Sequence, residues 1–196
     1  MPAYTKPFGL QPIQLLGGIP YAGSTREIPI ASGFATALRP GDVVRVASGT
    51  IAKETGTAAV TAGGAVGVFL GCSYTDATLG KTFRTNWTAS TVAADAVAIV
   101  ADDPNLIFRA AYVSGTTVIS AQTYAAVVGK NVAMVQNATS TGTSDVAVGS
   151  VATTNTLPLR VVDVDRASEG ATAGTFTAVL VKWNATMHAY NNILGT

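Results

Sequence analysis

Histidine is the usual general base near neutral pH and the commonest metal ligand, and this chain of 196 residues has one, His188, beside Met187 and close to Tyr190. A lone histidine cannot close a zinc site, and the single cysteine, Cys72, supplies no second ligand set. Nucleophilic catalysis by Cys72 or a serine would need His188 and an orienting acid beside it, and no Gly-x-Ser-x-Gly elbow supports that arrangement. The remaining candidates are paired carboxylates. Asp102 and Asp103 precede Pro104, and Asp163 and Asp165 stand two apart on an expected strand, where they share a face and could hold calcium or a common proton. The plainer reading is stronger for both: Asp-Asp-Pro-Asn is a turn whose carboxylate accepts backbone hydrogen bonds, and the second pair marks a solvated strand end near Arg160 or Arg166. Gly63-Gly64 lacks the spaced glycines and the lysine of a phosphate loop. Trp87 and Trp183 could form a sugar or partner platform, although a tryptophan at a strand end is more often core. No catalytic residue, metal site or cofactor is expected, and hydrolase or transferase chemistry is not.

Composition points to association instead. Charged residues make up 12% of the chain, about half the usual share, and mean hydropathy is +0.36. A folded protein this poor in charge is expected to be covered by neighbours over part of its exterior. Formal net charge is +1, and the Lys and Arg residues are scattered singly, so nucleic acid is not an expected partner. No run of about 18 apolar residues is present to span a bilayer, and the first residues lack the charged and apolar regions of a signal peptide. Synthesis in a cytoplasm, with no membrane partner, is the expectation. One cysteine excludes an intramolecular disulfide, and Cys72 in the apolar run 68–72 reads as a buried thiol.

The elements that must position these residues are short β-branched runs separated by Gly, Asn, Asp, Ser or Pro, the pattern of strands. Expected strands cover 26–30, 42–47, 57–61, 66–71, 81–85, 96–101, 106–111, 131–136, 145–148, 158–164 and 176–183. In the last run both faces are largely apolar, which suits a central strand. One short helix is expected at 121–128, capped by Ser120 and ended by Gly129. The fold class is therefore all-β, a β-sandwich or barrel of about ten short strands. Residues 26–196 form this β-rich body.

Residues 1–25 read differently. Pro2, Pro7, Pro12 and Pro20 exclude a helix or a central strand, so the segment is expected to be an extended arm that adds little to the body's hydrogen bonding and that the body can fold without. Phe8, Leu10, Ile13, Leu15, Leu16, Ile19 and Tyr21 make it apolar, so a surface must cover it. Fully extended, it reaches on the order of 80 Å. It either crosses onto an adjacent subunit through these seven side chains or lies along its own domain.

Taken in order, several segments resemble one family. They are Tyr21-Ala22-Gly23, Gly41-Asp42-Val43-Val44, Gly67-Val68-Phe69-Leu70-Gly71, Ala101-Asp102-Asp103-Pro104 running into Leu106-Ile107-Phe108, and Val128-Gly129-Lys130-Asn131. Thr156-Leu157-Pro158-Leu159-Arg160-Val161 and Val179-Leu180-Val181-Lys182-Trp183-Asn184, followed by His188, complete the series. In this order they are similar to the capsid decoration, or cement, proteins of tailed bacteriophages. The resemblance implies a virion structural protein on the outer capsid surface, made in the bacterial host cytoplasm. Its partners would be the major capsid protein and further copies of itself, a homo-oligomer with a trimer favoured. The competing reading is a head-fibre or surface recognition module for a receptor or glycan, marked by exposed aromatics around Trp87 and Tyr74. A hydrolase built on the Asp pairs is the third.

Overall fold

The computed structural model describes residues 6–113, 124–136, 143–166, 168 and 177–192. Twelve strands are present among them: Gln11–Leu15 (β1), Arg26–Pro29 (β2), Val43–Ala47 (β3), Thr50–Lys53 (β4), Gly67–Asp76 (β5), Gly80–Arg84 (β6), Val97–Ala101 (β7), Leu106–Val113 (β8), Asn131–Gln136 (β9), Val146–Ala152 (β10), Leu159–Val164 (β11) and Ala178–Trp183 (β12). A single helical turn, Tyr124–Val127 (α1), follows β8, and two 3-10 turns, Ala185–Met187 and Ala189–Asn191, follow β12. The fold is all-β.

Five strands close on themselves in the order β8-β10-β9-β11-β12 and back to β8, forming a barrel. The seam strand β8 pairs with β12 along one side, while its other side is shared end to end by β1 and β10. The second sheet runs β2-β7-β5-β3-β4, and β6 pairs with the far half of β5 beside β3. Closure removes the free edges that a sheet of this apolar character would otherwise offer for aggregation. The main core, around Phe108, Leu159, Val181 and Trp183, takes in Val43, Val68 and Ala101 from the second sheet, so the two sheets share it. A second cluster under β5 and β7 holds Phe69, Cys72, Tyr74 and Trp87. β12 is central, as its two apolar faces led us to expect.

Two strands escape sequence reading and one expected strand is absent. β1 contains Pro12, and the proline is accommodated because the register shifts between Pro12 and Gln14, a bulge that tolerates a residue with no N–H. β4 is a four-residue hairpin return from β3, too short for an alternation to show. At 57–61 there is no strand because the buried carboxylate of Glu54 gathers the chain into a loop. It accepts hydrogen bonds from the N–H groups of Thr55 (2.9 Å), Gly56 (2.7 Å) and Thr61 (3.2 Å) and from the Thr61 hydroxyl (2.9 Å). The crowding leaves no room for a side chain at residue 56, where a Cβ would lie 2.0 Å from the Ala59 carbonyl oxygen. Of the expected helix, residues 121–123 lie outside the described residues; Gly129 adopts the left-handed conformation (φ 82°) expected after its end.

The expectation that residues 1–25 add little to the hydrogen bonding of the body is overturned for residues 9–16. The Gly9 N–H donates to Val146, Leu10 to Gly41 and Leu16 to Asn105, and β1 fills the half of the β8 edge that β10 leaves open. The chain then turns at Gly17-Gly18, both at positive φ, and comes back along β1, with Leu15 N–H donating to Ile19 and Tyr21 N–H to Ile13. That return strip covers the outer edge of β1. Gly9 and Gly41 cross so closely that a Cβ on Gly9 would lie 2.6 Å from the Gly41 Cα. Leu10, just beyond the crossing, is fully buried in the main core.

These contacts set the cost of changing the segment. Leu10→Ala should destabilise the protein by about 2–5 kcal/mol, as expected for a buried leucine, and Gly9→Ala by about 1–3 kcal/mol through overpacking at a left-handed residue. Leu16→Ala, at a half-exposed turn position, should shift the denaturation midpoint by less than about 0.5 kcal/mol equivalent. Urea titration of the three variants checks the ranking.

Candidate functional site

The first 25 residues were the expected contact segment, and the structure divides their seven apolar side chains. Leu10 belongs to the protein's own core and is not available to a partner. Leu15 and Tyr21 pack against that core, half-buried, and Ile13 is half-buried in β1. Phe8 packs on the small cluster around Ala111, Val113 and Ala147, with the Arg109 guanidinium 5.9 Å from its ring centre. Leu16 and Ile19 are left facing outward, 51% and 62% exposed, at the two ends of the Gly17-Gly18 turn. The turn thus presents two exposed apolar side chains on a well-anchored strand.

Two polar clusters lie deeper. In the first, the Asp42 carboxylate is 1% exposed at the start of β3. Its Oδ2 accepts from the Arg39 N–H at 2.9 Å and from Lys53 Nζ at 2.8 Å, and its Oδ1 accepts from the Ser144 hydroxyl at 2.7 Å. Ser144 Oγ in turn accepts from the Val146 N–H at 3.2 Å. The carboxylate thus joins the β3-β4 hairpin to the entry of β10. Serine, lysine and aspartate meet here, yet the hydroxyl is fully buried and its proton is committed to Asp42, so the arrangement holds strands together.

The second cluster surrounds Asp102, in the connection from β7 to β8. Its Oδ2 accepts from Tyr190 Oη at 2.5 Å and pairs with Arg26 Nε at 2.8 Å, while the Arg26 guanidinium lies 5.0 Å from the centre of the Tyr190 ring. Burial first, and then the bond and charge of Asp102, push the Tyr190 phenol up to about 12. Burial and the same carboxylate also raise Tyr21. His188 completes the group, fully buried, with its ring against Tyr190 at 5.0 Å and Trp183 at 6.1 Å between centres. Sequence reading named Asp102 and His188 separately and missed that the fold brings them together with Arg26 and Tyr190. No spacing rule could have shown it, because the four residues come from three distant stretches of chain.

The other candidates take the plainer readings. Asp103 accepts from the Asn105 N–H at 2.7 Å, the expected turn, and Asp163 accepts from its neighbour Val164 at 2.8 Å. Asp165 pairs with Arg109 of β8, a partner that was not foreseen. Among the described residues no three His, Cys, Asp or Glu side chains group as metal ligands. Cys72 is buried and its thiol is pushed up to about 11 by that burial, which disfavours the reactive thiolate. Trp87 is buried, its indole N–H donating to the Phe34 carbonyl at 3.2 Å and its ring edge-on to Tyr74 at 5.7 Å; Tyr74 itself is 8% exposed. Beside them, Tyr74, Arg84, Thr85, Asn86 and Thr88 line an open polar depression of about 320 Å³. No helix of the described residues is long and apolar enough to cross a membrane.

Removing the lysine from the first cluster leaves a buried carboxylate short of its charged partner. Lys53→Ala should therefore cost about 1–3 kcal/mol, and Ser144→Ala a similar amount, with the double variant less than additive because both act on one carboxylate. A double-mutant cycle by chemical denaturation reads the coupling. Comparison with known proteins returns nothing: no protein-family model, curated protein or solved structure matches this chain.

Proposed function

We propose that this chain is a virion structural protein, a capsid decoration or cement protein, that seats on the outside of a tailed-phage capsid lattice and ties neighbouring capsid subunits together. The observation that carries the reading is the apolar turn of Leu16 and Ile19, held out from the barrel on a strand whose other large side chains are anchored. A partner that covers what remains exposed of both side chains, 51% of Leu16 and 62% of Ile19, gains roughly 1–2 kcal/mol for each. Little ordering cost offsets that gain, because the turn is already fixed by the Leu15–Ile19 and Gly18–Leu15 backbone bonds. The order of the segments named above, the all-β body and the low charge support the same role. Copies of the chain associate in this reading, a trimer being favoured, and the role needs no catalytic step.

The competing recognition module was to be marked by exposed aromatics around Trp87 and Tyr74. Both of those rings are buried, and the exposed aromatic beside them is Phe83 of β6, opposite Ser73 and next to the depression lined by Tyr74 and Arg84, so a recognition role would have to run through Phe83.

The test mixes purified protein with capsids of the encoding phage that lack surface density, followed by negative-stain imaging and co-sedimentation. Regular lattice decoration is expected, and Leu16→Ser with Ile19→Ser should weaken it by more than about tenfold at unchanged melting temperature. Bare capsids at saturating protein would exclude the role. Equal binding by the double variant would move the contact elsewhere on the body.

A further inference from the structure

The segment after β12 lies across the second sheet. Its backbone pairs with the loop before β5, the Ala65 N–H donating to Met187 at 3.0 Å and the Ala189 N–H to Ala65 at 2.8 Å. The fit is close: a Cβ on Gly64 would lie 2.9 Å from both Ala189 N and the Met187 carbonyl oxygen. At its start Asn184 Nδ2 donates to the Leu157 carbonyl at 2.6 Å, and near its end Tyr190 reaches Asp102. The segment therefore joins the barrel's last strand to the second sheet.

His188 sits beneath it. The imidazole Nδ1 accepts a hydrogen bond from the Tyr190 N–H at 3.3 Å and so caps the final 3-10 turn, Ala189–Asn191. A nitrogen that accepts carries no proton, which leaves the proton on Nε2, buried and without a hydrogen-bond partner, while the backbone carbonyls of Val66 and Asp102 lie near the ring. An imidazolium has two N–H donors and no acceptor. Its Nδ1–H would point at the Tyr190 N–H, so the cap exists only while His188 is neutral.

We propose that the C-terminal segment 185–191 is an acid-released latch, in which protonation of His188 breaks the cap on Tyr190 and frees the segment from the second sheet. The surroundings are arranged for this. Trp183 of β12 and the Gly64-Ala65-Val66 stretch bring no charge to the ring. Asp102 and Asp103 face it from the β7-β8 connection, but the Asp102 carboxylate is already paired with Arg26 of β2 and bonded to Tyr190. Tyr21, from the return of the β1 hairpin, also faces Asp102. Burial lowers the His188 pKa from its ordinary 6.5, and it outweighs the raising influence of the two aspartates and the two carbonyls. The docked state then binds fewer protons than the released one. Latching is complete above about pH 6.5 and weakens as pH falls below it, until the docked-state pKa is passed.

The protein contains one histidine, so its titration can be read without overlap. Hydrogen exchange of 185–192, corrected for the intrinsic pH dependence, should lose protection by up to about tenfold per pH unit below 6.5, the signature of one linked proton, while β8 and β12 stay protected. His188→Asn keeps a neutral acceptor near the Nδ1 position and should make that protection independent of pH. Unchanged protection in the natural chain between pH 7.5 and 5 would overturn the proposal, as would an equal pH dependence in the variant. If His188→Asn does not fold, NMR of the natural chain decides. Movement of the Tyr190 amide resonance together with the His188 ring supports the latch, and a histidine titrating while that amide stays fixed refutes it.

Discussion

The buried carboxylate of Asp42 is the polar contact that ties the β3-β4 hairpin of the second sheet to the barrel strand β10. Its three donors come from the turn before β3, from the end of β4 and from the entry to β10, so one ionised group fixes the second sheet against the barrel. A charge in such a place is tolerated because it is paired and fully hydrogen-bonded; stripped of a partner it would cost more than it contributes. The Gly9–Gly41 crossing lies one residue away, and only glycines allow the first strand to pass there and place Leu10 in the core. The chemistry of residues 9, 41, 42 and 144 and the geometry of the seam are one constraint.

The rest of the architecture follows from closing β8. Its two neighbours on one side, β1 and β10, divide the strand between them, and neither covers it alone. The segment that leads into β1 is thereby part of the fold, and what it offers to a partner shrinks to the turn carrying Leu16 and Ile19. A cement function needs such a division of labour, with a rigid body that resists deformation and a small apolar surface already in its binding shape. At the other end of the chain, the 185–191 segment spans the same two halves through Asn184, His188 and Tyr190.

Much of the fold was legible in the sequence, because the strands that carry it are β-branched runs bounded by turn residues; ten of the twelve overlap an expected run. What escaped has identifiable causes. Pro12 argues against a central strand and is right to do so, yet a bulge lets the same proline sit in an edge strand. Residues 57–61 read as a strand, whereas the neighbouring Glu54 side chain holds the N–H groups of Thr55, Gly56 and Thr61 and the Thr61 hydroxyl in a loop, a tertiary outcome that alternation cannot reveal. Neither polar cluster was visible. Asp42 reads in the sequence only as the first residue of an expected strand, and the meeting of Arg26, Asp102, His188 and Tyr190 depends on strand order that no single segment encodes. The apolar character of the first 25 residues was apparent, but which side chains face inward was decided by the crossing at Gly9.

The central claim is that residues 6–21 are built into the body and expose one apolar turn. Thermal unfolding of a chain that begins at residue 22, followed by circular dichroism beside the full-length protein, tests it most directly. Loss of Leu10 and of the strand that completes the β8 seam should lower the midpoint by at least about 10 °C or abolish the cooperative transition. A truncated chain that melts cooperatively at the full-length temperature would contradict the account and make the segment a surface attachment.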